Sequence, residues 1–185
     1  MPSATVDSAA RYPPALVALH WVVFALVAAA YALVELKSLA PRGSALRLTM
    51  LRLHYCAGIV VFALAWLRLA IRIRIDAPPV DPPPPYWLRF AARVFPVALY
   101  GVLVALPMIG WLALSAKAQP VPLGPVDLPL LPGVDPHLAR PLRALHAWIA
   151  NLGYALIGFH AAAALFHHYV LRDNALRRML PRTAA

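Results

Sequence analysis

Seven histidines are the residues of this 185-residue chain whose type and spacing point most directly to chemistry. Six of them fall within or at the ends of long apolar runs: His20, His54, His146, His160, His167 and His168. An ionisable side chain in an apolar segment is costly and needs a partner, so each histidine invites a functional hypothesis. For any one of them alone, a neutral ring hydrogen-bonded to a neighbouring carbonyl would be sufficient explanation.

The elements that carry these histidines are predicted to be membrane-spanning helices. The chain is 62% apolar and 13% charged, with a mean hydropathy of +0.70. Soluble domains contain roughly 45–50% apolar and about 25% charged residues, so an ordinary soluble domain and a disordered chain are both excluded. A bilayer core about 30 Å thick requires roughly 20 apolar residues in a helix. Four runs are long enough, near residues 13–36, 50–74, 90–116 and 141–171.

The expected fold is therefore all-α: an integral membrane four-helix bundle in which residues 1–185 form a single domain. The first run is longer than the apolar core of a signal peptide, so we interpret it as a span. Two connections are rich in proline, residues 77–87 and residues 119–141. Neither is expected to form a regular helix. The second is expected to lie over the membrane surface or to cap the bundle.

The distribution of charge predicts the orientation of the bundle. Lys and Arg number 17 against 7 Asp and Glu, and most of these cations flank the apolar runs, which favours membrane anchoring over binding to nucleic acid. Ten cations fall on the side of the termini: Arg11, Arg68, Arg72, Arg74, Arg89, Arg93, Arg172, Arg177, Arg178 and Arg182. Seven fall on the other side: Lys37, Arg42, Arg47, Arg52, Lys117, Arg140 and Arg143. The positive-inside rule then predicts that both termini are cytoplasmic.

The depth of each histidine predicts two pairs across the bundle. His146 and His160 are 14 residues apart, which is about 21 Å along a helix, so they share one face at two depths. His54 and His146 each lie about one turn from the outer end of a span, so they can meet. His20 and His160 lie deeper towards the cytoplasmic side and form a plausible second pair. His167 follows His160 by seven residues on nearly the same face and remains an alternative partner for His20.

Two pairs of neutral imidazoles from facing helices would provide axial ligands for two b-type haems. Other metals are disfavoured because each site would have only two nitrogen ligands. A proton relay is the alternative function for these histidines. Cys56, the only cysteine, cannot form an internal disulfide and belongs to no C-x-x-C-H motif for covalent haem attachment. Four glycines are expected either to leave room for a macrocycle or to allow close helix packing: Gly58, Gly101, Gly110 and Gly153.

Four segments carry a family resemblance: LHWVVFALVAAAYALVE, the His54 region with LRLAIR, YGVLVALPMIG, and LHAWIANLGYALIGFHAAAALFHHYVLRDNALRRMLPR. With them the chain resembles the bacterial cytochrome b561 family, small four-helix dihaem cytochromes of the inner membrane. The resemblance is closest to members that act as superoxide:ubiquinone oxidoreductases. It implies that His20 and His160 hold a cytoplasmic-side haem and that His54 and His146 hold the outer one. It also decides against His167 as a ligand. Some members carry histidines early in the third span, where this chain has Ala91, Ala92, Arg93 and Phe95.

The resemblance implies an oxidoreductase that passes electrons from a periplasmic donor, superoxide, to membrane ubiquinone. The outer cations, Arg52 and Arg143 among them, would concentrate this anionic donor near the outer haem. Membrane lipid, quinone and the electron donor are the expected partners. Two alternatives remain: a membrane-anchor electron-transfer subunit of a partner dehydrogenase or hydrogenase, and a cofactor-free bundle. No catalytic residue, quinone site or oligomeric state is assigned, and no role is assigned to His137, His167 or His168.

Overall fold

The computed structural model describes residues 11–124 and 126–181, so Arg182, one of the cations used to predict orientation, lies outside the described residues. Four long helices dominate this part of the chain. They are α1 (Pro14–Leu36), α2 (Ala45–Arg72), α3 (Tyr86–Ser115) and α4 (Ala139–Phe166). By length and composition, all four can cross a membrane. The predicted fold class, an all-α integral membrane four-helix bundle, is confirmed.

Three helices begin earlier than the hydropathy pattern predicts, and the local structure before the first residue differs from one helix to the next. Ser44 precedes α2, and its hydroxyl accepts a hydrogen bond of 3.3 Å from the Arg47 amide. Helix α3 begins at Tyr86, directly after the proline run, because a proline just outside a helix needs no amide partner. A 3₁₀ turn, Pro136–Leu138, leads into α4. The two proline-rich connections are therefore helical at their last residues, contrary to prediction.

The helices pack as two pairs. Helix α1 packs mainly against α2, and α3 packs mainly against α4, while contacts between α2 and α3 join the pairs. Large apolar side chains such as Trp66, Trp148 and Phe159 are exposed on the outside of the bundle. An exposed apolar exterior is what a lipid-facing surface requires, because the surrounding solvent is hydrocarbon.

A short hairpin caps one end of the bundle, where no strand was predicted. Strands β1 (Val121–Leu123) and β2 (Val126–Leu128) pair antiparallel, with Pro122 opposite Asp127. Strand β1 packs on α2, and the Cys56 thiol donates to the Pro122 carbonyl at 2.7 Å. Each strand is only three residues long, too short to produce a clear alternating pattern. This end of the bundle is called the hairpin end below.

At the opposite end, called the terminal end, the chain that follows α4 folds back over the start of α1. The Tyr12 amide donates to the Arg178 carbonyl at 3.4 Å, and the Trp21 indole donates to the Met179 carbonyl at 2.8 Å. The Arg178 side chain also donates to the Pro78 carbonyl in the α2–α3 connection. The tail, the α2–α3 connection and the start of α1 therefore form one closing layer.

Candidate haem-binding sites in the bundle core

The histidine pair nearer the hairpin end joins α2 to α4. The ring centroids of His54 and His146 are 6.2 Å apart, with their planes at 80°. Nδ1 of His54 lies 2.9 Å from the Ala30 carbonyl, and Nδ1 of His146 lies 3.0 Å from the Leu106 carbonyl. A carbonyl can only accept, so each Nδ1 must donate its proton, which leaves Nε2 of each neutral ring with a free lone pair. Histidines that bind metals are commonly held in this way.

The separation of this pair fits one iron between two imidazoles. A metal–imidazole bond is about 2 Å long and the ring centroid lies about 1.1 Å behind the bonded nitrogen, so two axial rings place their centroids about 6 Å apart. The His54 and His146 rings already have this spacing. The pair can therefore accept an iron without a large movement of either helix.

A large cavity surrounds the His54–His146 pair. It has a volume of about 1070 Å³ and is lined by residues of all four long helices. Ligand pockets usually measure roughly 300–1,000 Å³, so this cavity is large enough for a macrocycle. Gly58 forms part of the wall, and a Cβ added there would have no other atom within 4 Å. The open space beside Gly58 agrees with the expected room for a macrocycle.

Two other glycines make room for side chains. A Cβ at Gly110 would lie 3.2 Å from Cε1 and 3.3 Å from Nδ1 of His146, so the missing side chain lets this ring approach α3. A Cβ at Gly153 would collide with the Tyr31 hydroxyl. Of the two expectations for Gly153, room for a macrocycle or close packing, this contact corresponds to close packing, because the missing side chain accommodates Tyr31. At Gly101 a Cβ would meet nothing within 4 Å.

The second histidine pair lies nearer the terminal end and joins α1 to α4. The ring centroids of His20 and His160 are 6.1 Å apart, with their planes at 66°. Phe95 of α3 lies almost parallel to the His160 ring, with the two centroids 6.3 Å apart. Trp21 packs edge-on against His20. The fit of this pair to an iron rests on its spacing, which matches that of the first pair.

The remaining histidines occupy other environments. His167 lies in the wide turn that follows α4, and its Nδ1 is 2.5 Å from the buried carboxylate of Asp173. The structure thus places His160, and not His167, beside His20. His168 lies in the same turn, and its buried Nδ1 has no partner among the residues that the structure describes. His137 is exposed at the hairpin end.

Most of the predicted outer cations line the large cavity. Arg52 and Arg143 are exposed and line it, on the same side of the bundle as the His54–His146 pair. Five of the seven outer cations line the cavity: Lys37, Arg47, Arg52, Lys117 and Arg143. Arg42 and Arg140 are exposed elsewhere at the hairpin end. An anion that approaches the His54–His146 pair therefore meets a positively charged entrance.

A tyrosine pair beside this cavity was not singled out from the sequence. The rings of Tyr31 and Tyr154 have centroids 4.2 Å apart. The Tyr31 hydroxyl donates to the Ala150 carbonyl at 2.8 Å, and the Tyr154 hydroxyl donates to a Glu35 carboxylate oxygen at 3.0 Å. The pair binds α1 to α4 next to Ala30, whose carbonyl holds His54. Two features of the sequence could have indicated this pair. Tyr31 is a polar side chain late in an apolar span, and Gly153 on α4 leaves the space that its hydroxyl occupies.

Comparison with known proteins places the chain in a family. The family model for prokaryotic cytochrome b561 matches residues 11–182. Cytochrome b561 homolog 1 of Escherichia coli is 39% identical over 176 residues, which cover 93% of this chain and 98% of the relative. The probable superoxide oxidase CybB of Yersinia pestis is 35% identical over 172 residues, with 93% and 97% covered. Cytochrome b561 homolog 2 of Escherichia coli is 33% identical over 138 residues, with 72% and 71% covered. The chain therefore belongs to the prokaryotic cytochrome b561 family, whose members bind haem b and transfer electrons in the bacterial inner membrane.

Proposed function

We propose that the protein is a dihaem b-type cytochrome that oxidises superoxide at the hairpin end and reduces ubiquinone in the membrane. The observation that carries this proposal is the presence of two histidine pairs at two depths, with centroids 6.2 Å and 6.1 Å apart. His54 and His146 would hold one haem, and His20 and His160 would hold the other. When bound, the haem irons supply the one-electron redox change.

The residues of the chain would orient the ligands and attract the donor. The Ala30 and Leu106 carbonyls hold Nδ1 of His54 and His146, so that Nε2 of both rings is available as a ligand. Arg52 and Arg143, with the other cations around the cavity, would raise the local concentration of superoxide. Two superoxide anions each lose one electron to become dioxygen, and one ubiquinone takes up two electrons and two protons to become ubiquinol.

Two observations support superoxide as the donor. One relative, 35% identical over almost its whole length, is described as a probable superoxide oxidase. The cavity beside the His54–His146 pair also carries five cations against two carboxylates, those of Glu35 and Asp127. A positive entrance suits a small anion and gives no advantage to a neutral donor.

The orientation that we propose places the terminal end in the cytoplasm and the hairpin end in the periplasm. The count of ten cations against seven supports it by the positive-inside rule. A green fluorescent protein fused to the C-terminus should then fluoresce, and alkaline phosphatase at the same position should be inactive. The reverse pattern would refute this orientation.

The proposal is tested by counting haems in detergent-purified full-length protein. A pyridine haemochrome assay should give two b haems per chain, with low-spin bands in the reduced and oxidised spectra. His146→Leu and His160→Leu should each reduce the count to one, while the exposed control His137→Leu should keep two. His167→Gln should also keep two, because His160 is the partner that lies beside His20.

Protein expressed with sufficient haem but purified without it would refute the cytochrome function. If two haems are present, superoxide generated in the presence of a ubiquinone analogue should be consumed while ubiquinol forms, in a ratio of two to one. A dihaem protein that is inert towards superoxide and co-purifies with a dehydrogenase or hydrogenase would instead identify an anchoring electron-transfer subunit.

A further inference from the structure

Three arginines converge at the terminal end of the bundle. Arg68 and Arg72 lie one turn apart near the end of α2, and Arg178 comes from the tail that follows α4. The guanidinium carbons of Arg72 and Arg178 lie 5.5 Å and 5.7 Å from the centroid of the Tyr12 ring. Two like charges therefore share one aromatic ring, an arrangement that needs negative charge nearby to be favourable.

Arg68 connects this group to the second histidine pair. It lies four residues before the end of α2, a depth similar to that of His20 in α1 and of His160 in α4. One of its Nη atoms donates to the Tyr100 hydroxyl at 3.1 Å, which holds the guanidinium in the bundle.

Among the described residues, these arginines have too few carboxylates to balance their charge and too few acceptors for their N–H groups. The Nε atoms of Arg68 and Arg178 are buried and have no partner among the described residues. Asp173 is the carboxylate that acts on Arg178, but it is bonded to His167 at 2.5 Å and to the Ala175 amide at 2.9 Å. A buried donor without an acceptor costs roughly 1–3 kcal/mol, and more when it is charged.

The pKa of Arg178 also indicates that its positive charge lacks sufficient negative charge nearby. Burial lowers the pKa of its guanidinium below the ordinary value, against the opposing effects of Tyr12 and Asp173, and the charge of Arg72 lowers that pKa further. A bound anion would reverse both unfavourable effects. It would pair with the charge and accept hydrogen bonds from the guanidinium groups.

We propose that Arg68, Arg72 and Arg178 form a carboxylate site that binds the propionates of the haem held between His20 and His160. This inference rests on the proposed function, because it requires a haem at that pair. A b-type haem carries two propionates, and guanidinium groups bind carboxylates with two parallel hydrogen bonds. The site explains why three partly buried cations lie at the same end of the bundle as this histidine pair, and why the tail returns to the bundle at this place.

The test compares the two haem sites within the same protein. Arg178→Gln and Arg68→Gln are made in the full-length chain, with Arg74→Gln as the matched control, because Arg74 is an exposed cation just beyond the end of α2. Apoprotein is titrated with haem and, separately, with haem dimethyl ester, which lacks the carboxylate charges. We expect Arg178→Gln to weaken haem binding at the His20–His160 site roughly 10- to 100-fold, the value of a charge-assisted hydrogen bond. Binding of the ester should be equal in the variant and the parent protein.

A redox titration gives an independent readout. Removal of a cation beside a haem makes its reduction less favourable, so the reduction potential of one haem should fall in both variants. The potential of the His54–His146 haem should not change, which also shows that the variant has folded. Arg68→Lys keeps the charge but loses the fork of donors, so it should restore the potential more completely than the affinity.

The outcomes separate this inference from the proposed function. A parent protein without haem refutes the proposed function and removes the ligand on which the site depends. A parent protein with two haems, and variants that behave like Arg74→Gln, refutes the carboxylate site alone. Variants that lose co-purified phosphatidylglycerol but keep their haem affinity would assign the arginines to a lipid phosphate and overturn the propionate site.

Discussion

His146 reaches its position because the neighbouring helix has no side chain at residue 110. The Leu106 carbonyl that accepts from Nδ1 lies one turn before Gly110 on α3. In Gly110→Ala, the added Cβ would lie 3.2 Å from Cε1 of the ring, closer than an ordinary contact. We expect the ring to be displaced and the haem-loaded protein to lose about 1–3 kcal/mol of stability, the usual cost of overpacking. Haem titration and the low-spin band of the His54–His146 haem measure this effect.

Gly101→Ala is the control for this substitution, because Gly101 lies on the same helix and a Cβ there meets nothing within 4 Å. It should bind two haems with the affinity of the parent protein. Equal haem affinity in Gly110→Ala and Gly101→Ala would show that residue 110 does not position the ring.

The residues of the site divide into those that the sequence could predict and those that it could not. The spacing of 14 residues between His146 and His160 fixes their relative depth and face, so helix geometry predicted the pairing of His146 with His54. For His20, geometry left both His160 and His167 as partners, and the family resemblance favoured His160, the ring that lies beside His20. The acceptors for Nδ1 could not be predicted. They are backbone carbonyls, those of Ala30 and Leu106, which every residue possesses and which no side-chain pattern marks.

At the scale of elements, Tyr31 and Gly153 hold α1 and α4 in register. The Tyr31 hydroxyl fills the space that a Cβ at Gly153 would need. Gly153→Ala should therefore destabilise the protein by about 1–3 kcal/mol. Tyr31→Phe removes the hydroxyl, and the remaining Cζ lies 3.6 Å from the Cβ position, an ordinary contact. The double variant Tyr31→Phe/Gly153→Ala should consequently be more stable than Gly153→Ala alone. This difference would show that the effects of the two substitutions on stability are coupled.

Thermal unfolding in detergent measures this coupling, with Gly158→Ala as the control on α4. A Cβ at Gly158 meets no other atom within 4 Å, so alanine there should be neutral or slightly stabilising. Additive effects of Tyr31→Phe and Gly153→Ala would mean that the two residues do not determine how α1 and α4 pack.

The number of long helices could be predicted from the sequence, but the residues at which three of them begin could not. Hydropathy identifies four spans because lipid requires long apolar helices, but it says little about where the helix leaves the membrane. Helix α2 begins at Ala45, five residues before the predicted start, and its first turn is polar and is capped by Ser44. The hairpin of Val121–Leu123 and Val126–Leu128 was missed because it is held by backbone pairing and by packing on α2, which a proline-rich sequence does not reveal.

At the scale of the whole molecule, the net charge of +10 includes cations at both ends of the bundle, and we propose a different function for each end. At the terminal end, Arg68, Arg72 and Arg178 are drawn into the bundle beside aromatic rings. At the hairpin end, Arg52 and Arg143 are exposed and line the cavity. Partly buried cations are screened less by salt and can bind fixed anions, whereas exposed cations act over a distance on mobile ones. The two groups should therefore respond differently to ionic strength.

This difference gives a prediction for the rate of superoxide oxidation. The Debye length falls from about 30 Å at 0.01 M to about 10 Å at 0.1 M salt, so attraction by exposed cations should weaken across that range. The second-order rate constant of the parent protein should fall as salt is added. The double variant Arg52→Gln/Arg143→Gln should be several-fold slower at low salt and should depend less on ionic strength. Arg42→Gln/Arg140→Gln removes the same charge from exposed positions at the same end that do not line the cavity, and should stay closer to the parent. Pulse radiolysis at several salt concentrations measures these rates. A parent rate that does not change with salt, together with equal rates in the two double variants, would show that the cations around the cavity do not steer the donor.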